Sequence, residues 1–199
     1  MKKYELTNEV KELFNGKKLY RIKALKHFGD VKEGDLGGWI EKEENLSQRG
    51  DCWVYYNAEI YGNAVVYDNA RVSGNAVVYG NVVVFGEAEV FGNARVSGEA
   101  IVSGKARVCG NAVVYGNARV FGDAEICDGT DILWISNIGS RNDTITFTRS
   151  KNDNILVTVG CFYGTLSEFK DKVKKIHGDN NHAKAYELAI ELAKLRINI

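Results

Sequence analysis

The sequence predicts a mainly β fold: a parallel β-helix of about four to five triangular coils, with a small N-terminal β cap and a C-terminal α+β unit. Three observations predict it. Every sixth residue from Val54 to Ile126 is Val or Ile. An Ala stands two residues before each of them, with Cys52 and Val82 as the exceptions. A Gly-Asn, Asp-Asn or similar polar pair follows in most hexads, as in GNAVVY, DNARVS and GNARVF.

Ala and Val two residues apart face the same side of a strand, and the residues between and after them face the other. Two inward positions per hexad make a very short strand. Gly and Asn then turn the chain because both tolerate positive φ. One straight side and one corner, repeated, make a coil. Three sides per coil give a period of three hexads, with coils stacked about 4.8 Å apart. The pattern resembles the hexapeptide-repeat β-helix family, in which an aliphatic and a small residue recur at set positions. Val66-Tyr67-Asp68-Asn69-Ala70-Arg71 fits at both, and departs in placing Tyr after the aliphatic. The resemblance implies a left-handed helix, whereas general crossover rules favour the right hand.

The chain has 199 residues, with 26 basic and 26 acidic side chains, 21 Gly and no Pro. Balanced charge gives no electrostatic case for nucleic acid. No apolar run reaches bilayer length and no signal peptide opens the chain, so a cytoplasmic, membrane-free protein is expected. Cys109 and Cys127, three hexads apart, are expected one above the other on adjacent coils. Their Cα spacing of about 4.8 Å permits a disulfide, but free thiols in a reducing cytoplasm are the expected state. Cys52 fills an Ala slot and should be buried.

Residues 1–50 are not repetitive and are expected to cap the open strand edge of a solenoid spanning residues 51–130. KLYRIKAL reads as a strand with a shorter one near Tyr4, NEVKELF as a short helix, and Gly37-Gly38 as a tight turn. GGWIEKEENLSQRGDCWVYYNA, residues 37–58, resembles the opening of YdcK-like bacterial β-helix proteins and of phage and prophage β-helix proteins. That resemblance implies a fold and no particular chemistry. Residues 131–199 are expected to form an interaction unit. DILWISNI, DTITFTRS and NILVTVGCFYG read as three strands, followed by a helix opening near Thr165 and ending at Gly178. A second helix over about 181–196 carries a wide apolar stripe of Ala185, Tyr186, Leu188, Ala189, Ile190, Leu192, Ala193 and Leu195. This unit resembles C-terminal units of phage-encoded proteins.

Stepping by three hexads sorts the outward side chains into three columns. The first contains Trp53, Arg71, Glu89, Arg107 and Glu125, its charges alternating in sign, and reads as a solvated face with neighbouring ion pairs. The second is mixed. The third contains Val65, Tyr67, Val83, Phe85, Ile101 and Phe121, with Ser103 and Arg119, and is apolar over at least three coils. Such a patch predicts a covering partner: a second copy in a dimer or trimer, the chain's own C-terminal helices, or a foreign target. Asn57, Asn75, Asn93 and Asn111 share one corner, where amides can bond up the stack.

Candidate chemistry is sparse. Hexapeptide-repeat acyltransferases need a His general base near the coils, yet His27, His177 and His182 all lie outside the repeat. The three-His zinc site of γ-class carbonic anhydrases cannot be placed, and no phosphate-cradling P-loop occurs. Cys161, His177 and Asp179 are the residue types of a nucleophile, base and orienter, but Cys161 reads as a buried mid-strand residue. The expected function is a non-enzymatic scaffold or binding protein that uses no cofactor or metal. It would pair with itself through the third face and with a host protein or small ligand. The phage resemblance implies an accessory protein engaging a host component, such as an inhibitor of a bacterial defence system that masks a protein or sequesters a nucleotide signal. The alternative is a hexapeptide-repeat acyltransferase with an active site between subunits.

Overall fold

Hexads close into coils because most strands are only two residues long before a corner intervenes, too short to pair with anything but the same side of the next coil. In the computed structural model, which describes residues 2–197, each strand pairs in register with the one three hexads on. Residue 1 of the expected cap and residues 198 and 199 of the expected C-terminal unit lie outside that range. Trp53, Arg71, Glu89, Arg107 and Glu125 pair in sequence up one side. Glu59, Val77, Arg95 and Val113 do so up the second, and Val65, Val83, Ile101 and Arg119 up the third. The result is a parallel β-solenoid with one sheet per side. The Ala and Val columns point inward and are fully buried, Val82 and Cys52 included. Each buried Val contributes about 1.5–3 kcal/mol relative to exposure.

The corners determine how closely coils can stack. Gly74 has φ +70°, and a Cβ there would lie 2.8 Å from the carbonyl oxygen of Gly92. Tyr56 and Asp68 occupy equivalent corners at φ 55° and 57°, a conformation that costs a side chain about 1–2 kcal/mol. The Asp68 carboxylate accepts a hydrogen bond from the Gly86 amide at 3.3 Å. Along the Asn corner the expected ladder is present: Asn57 donates to Asn75 at 3.4 Å, Asn75 to Asn93 at 3.2 Å and Asn93 to Asn111 at 3.2 Å. A second corner repeats it between Asn63 and Asn81 at 3.1 Å.

Parallel stacking starts upstream of residue 51. Ile40 pairs with Ile60 and Leu46 bridges to Val66, so the entry coil is looser by two residues than those above it. Ahead of it, strands Tyr4–Glu12 and Lys18–Ala24 form a hairpin, and Lys18–Ala24 also pairs antiparallel with Leu36–Ile40. This meander extends the second-face sheet and covers its edge. The short helix expected over NEVKELF is therefore absent. Val10 pairs with Tyr20 and Lys11 with Leu19, and these ladder bonds outweigh the local helix preference of Glu, Lys and Leu. The tight turn expected at Gly37-Gly38 is also corrected, since both lie inside a strand. They are glycines because the neighbouring meander strand and the first coil press on them: a Cβ at Gly37 would lie 2.5 Å from Ile22 and 2.7 Å from Trp53, and one at Gly38 2.6 Å from the Ala58 carbonyl.

Trp53 faces out of its coil as expected but is buried, because Tyr4 and Phe28 pack edge-on against it at 6.0 and 5.3 Å. Lys3 is buried beside it, donating to the Cys52 carbonyl at 2.8 Å and lying 3.2 Å from the Cys52 sulfur. Tyr4 donates its hydroxyl to the Leu46 carbonyl at 2.7 Å. These bonds satisfy carbonyls that the wide first corner leaves without a coil below.

At the other end the three expected strands are four, in the order Ile132–Ile138, Asp143–Arg149, Ile155–Val159 and Phe162–Thr165. Val159 pairs with Phe162, so Gly160, at φ 54°, and Cys161 form a two-residue hairpin turn inside the run read as one strand. Helices α1 (Leu166–His177) and α2 (Asn181–Arg196) pack on this sheet through Phe169, Val173, Tyr186, Ile190 and Ala193. Thr165 and Glu168 form the expected capping box. The apolar stripe of α2 is only half used, since Leu188, Leu192 and Leu195 are 74%, 48% and 82% exposed on the opposite side of the helix. The sheet docks on the last coil through an Ala124–Ser150 bridge and a 3.0 Å bond from the Arg119 amide to the Thr146 hydroxyl. Among the described residues no helix is long and apolar enough to cross a membrane.

Gly74→Val combines left-handed strain with a backbone clash and should lower stability by about 2 kcal/mol or more. A Cβ on Gly129 meets nothing within 4 Å, and Gly129→Ala should stay within about 2 °C of the parent in thermal unfolding. Equal melting temperatures for Gly74→Val and the parent would contradict the corner packing described.

Candidate functional site

The third face is built by the strands Val65–Val66, Val83–Val84, Ile101–Val102 and Arg119–Val120. Alternation along each strand sends Val65, Val83 and Ile101 outward, and the residues before each corner, Tyr67, Phe85 and Phe121, follow them. All six are half-buried. Tyr67 and Phe85 stack with ring centres 5.0 Å apart and planes 3° from parallel, a direct product of the coil register. Burial pushes the Tyr67 phenol above its usual pKa, so it stays neutral. The C-terminal unit meets this face at its upper end. There Arg119 donates to the Gly160 carbonyl at 3.3 Å, and Tyr163 occupies the space beside Gly122 that a Cβ would fill. Its helices pack instead on their own sheet.

The first face carries the charged column, with one rearrangement. Arg107 sits between Glu89, at 3.4 Å, and Glu125, at 2.7 Å. Arg71 turns to Asp30 of the cap at 3.2 Å. Asp30 also accepts from the Tyr55 hydroxyl at 2.8 Å, and that bond is the main cause holding its carboxyl below the ordinary value. Exposed pairs like these contribute about 0–1 kcal/mol each. Above Arg107 the structure corrects the expectation of free thiols. Cys109 and Cys127 are disulfide-bonded across adjacent coils, with Cα atoms 4.4 Å apart. In-register stacking delivers the two side chains to one spot whatever the compartment.

Within the C-terminal unit, a cleft of about 340 Å³ opens between the Gly160–Cys161 turn, the loop around Arg141 and the two helices. Its floor is aromatic: Phe169 lies 5.2 Å from Phe162 and 5.3 Å from Tyr186, ring centre to ring centre. Lys172 sits 5.5 Å above the Phe162 ring, and Arg141 and His177 also line the cleft. Burial, helped by the Asp143 charge, raises the Tyr186 phenol above its usual pKa, leaving a neutral hydroxyl at the wall. An apolar floor with cations at its edge can hold a small, flat, negatively charged molecule through stacking and charge.

Cys161 is not the buried mid-strand residue expected. It is exposed in the hairpin turn at the cleft's mouth. His177 lines the same cleft, but Asp179 lies exposed in the turn after α1, outside the lining. The three suggested catalytic residues therefore do not assemble, and the carboxylate that shares the cleft belongs to Asp143. Phe162, Lys172 and Tyr186 carry no motif.

The fold thus defines a parallel β-solenoid of hexapeptide periodicity, closed by a β meander below and an α+β unit above. A family model described as "YdcK Beta solenoid repeat" matches residues 70–86, 88–104 and 106–122, all within the coils. The chain is also 40% identical over 70 residues to a protein of Escherichia coli (strain K12) named "Uncharacterized acetyltransferase YdcK". That match covers 31% of this chain and 22% of the relative. The chain carries a β-solenoid of the YdcK kind.

In the native protein a soluble thiol reagent should label Cys161 rapidly and Cys52 only on unfolding, since Cys161 is exposed and Cys52 fully buried. Mass mapping after a short pulse checks this. Equal labelling of both would contradict the placement of the turn.

Proposed function

We propose that this protein is a non-enzymatic β-solenoid binding protein, a rigid rod that joins copies of itself through the third face and holds a small anionic ligand in the C-terminal cleft. The observation that carries this reading is the placement of a formed, aromatic-floored and cation-edged cleft in the end unit, on a rod whose coils run in uniform register. A nucleotide has the chemistry this cleft suits: a base to lie against Phe162 and Phe169, and phosphate to meet Lys172 and Arg141. The resemblance of the C-terminal unit to phage-encoded proteins supports an accessory role in a bacterial cytoplasm, in which the bound component belongs to the host. Sequestering a nucleotide signal of a defence system is the form of that role the cleft favours.

The third face supports self-association. Val65, Tyr67, Val83 and Phe85 form a flat, half-buried apolar surface away from the docking points of the C-terminal unit. A second reading rests on the name of the Escherichia coli relative. It makes this protein an acyltransferase with an active site between subunits, its base supplied by His27, exposed in the cap, or by His177 in the cleft.

Light scattering should give a dimer or trimer, reduced to a monomer in a Val83→Glu/Phe85→Glu variant. An unchanged mass removes the third face from the interface. A calorimetric titration with a nucleotide panel should show binding by the parent that a Lys172→Glu variant loses by about tenfold or more. Acetyl-coenzyme A binding that vanishes in His177→Ala or His27→Ala, with no response to nucleotides, would decide for the second reading.

A further inference from the structure

We propose that Cys109, Cys127 and Glu125 together form a site for one soft divalent cation of the zinc–cadmium class when the two sulfurs are reduced. Glu125 and Cys127 are two residues apart along one side of the last coil and leave it on the same face, and Cys109 stands directly beneath Cys127 on the preceding coil. The two sulfurs and a Glu125 carboxylate oxygen all lie within 4.8 Å of one another. Two thiolates bound to one tetrahedral zinc sit about 3.8 Å apart, given Zn–S bonds of about 2.3 Å. With the Cα atoms 4.4 Å apart, rotation about the side-chain bonds reaches that separation without moving the backbone. Two sulfurs and one oxygen leave the fourth position to water, the donor set of an open zinc site.

The surroundings suit this occupant. Cys109 is buried, while Cys127 and Glu125 are partly exposed, so a cation enters from solvent and comes to rest against a dry wall. Two thiolates, one carboxylate and a divalent cation sum to one negative charge, and Arg107 next door balances it. Arg107 now bonds Glu125 at 2.7 Å, but its Nε also lies 3.4 Å from Glu89. It can release Glu125 to the metal and keep a partner. The disulfide is the site's closed form. A low-molecular-weight thiol opens it, two of its sulfhydryls becoming a disulfide as the protein pair gains two electrons and two protons. On binding, the two thiol protons go to solvent, two S–metal bonds and one O–metal bond replace bonds from the cation to its hydrating water, which is released, and no electron moves.

The test uses the full-length protein reduced with a phosphine, then freed of excess reductant under nitrogen and titrated with cadmium. Binding is read from the thiolate-to-metal charge-transfer absorbance in the ultraviolet and from released protons. One cadmium per chain is expected, lost in Cys127→Ser, weakened about tenfold or more in Glu125→Gln, and unaffected by Cys161→Ser. Air-oxidised protein should show no band. Circular dichroism establishes that each variant is folded, and the partly exposed Glu125→Gln change keeps the test available if a Cys variant is not. No band in the reduced parent, or one that persists in folded Cys127→Ser, overturns the proposal. A band that Glu125→Gln leaves at full affinity removes Glu125 from the site.

Discussion

Everything in this molecule depends on the parallel backbone ladder that repeats every three hexads. No coil can fold alone, since its short strands have partners only above and below. The ladder in turn depends on corners narrow enough for coils to close on one another. Gly74 over Gly92 shows how little space remains, and Tyr56 and Asp68 show that the geometry is retained even where a side chain must accept left-handed strain. Interior Ala and Val, surface Asn ladders and stacked aromatic rings are consequences of that register. Each places like chemistry directly above itself.

Register also explains how a structural repeat acquires local chemistry. A side chain placed outward at one coil acquires a neighbour simply by recurring one coil later. Arg107 between two glutamates, Tyr67 on Phe85 and Cys109 beneath Cys127 are three results of that one rule. The solenoid's own faces stay flat because the corners are tight. In the end unit, a hairpin turn and two helices enclose a cleft of about 340 Å³ lined by Phe162, Phe169 and Lys172.

The coils were legible because a period of six, written in Val and Ala, admits one set of neighbours. The first and third columns, the Asn ladder and buried Cys52 all follow from counting. The ends were less legible, each for a physical reason. Gly37 and Gly38 look like a turn locally, and only the pressure of Ile22, Trp53 and Ala58 shows them to be strand glycines. NEVKELF has helix-forming residues whose preference is overridden by pairing with the next strand of the hairpin. Trp53 sits in an outward column and is hidden by Tyr4 and Phe28, residues brought there from far upstream. The Gly160–Cys161 turn is flanked on both sides by strand-forming residues, which concealed it and with it the mouth of the cleft. No periodicity links Arg141, Lys172 and Tyr186, so the cleft itself could be found only in three dimensions.

The entry coil, two residues longer than its successors, sets the cap in place, and above it every coil is interchangeable in length. Whole three-hexad units can therefore be gained or lost in evolution without disturbing either terminus. The spacing between cap and cleft would change in increments of about 4.8 Å, and every such change preserves which face each end presents. A gain of one or two hexads would instead swing the upper unit by one or two thirds of a turn around the axis. The molecule is thus a ruler with fixed graduations, on which the distance and the bearing of its two ends are set by separate counts.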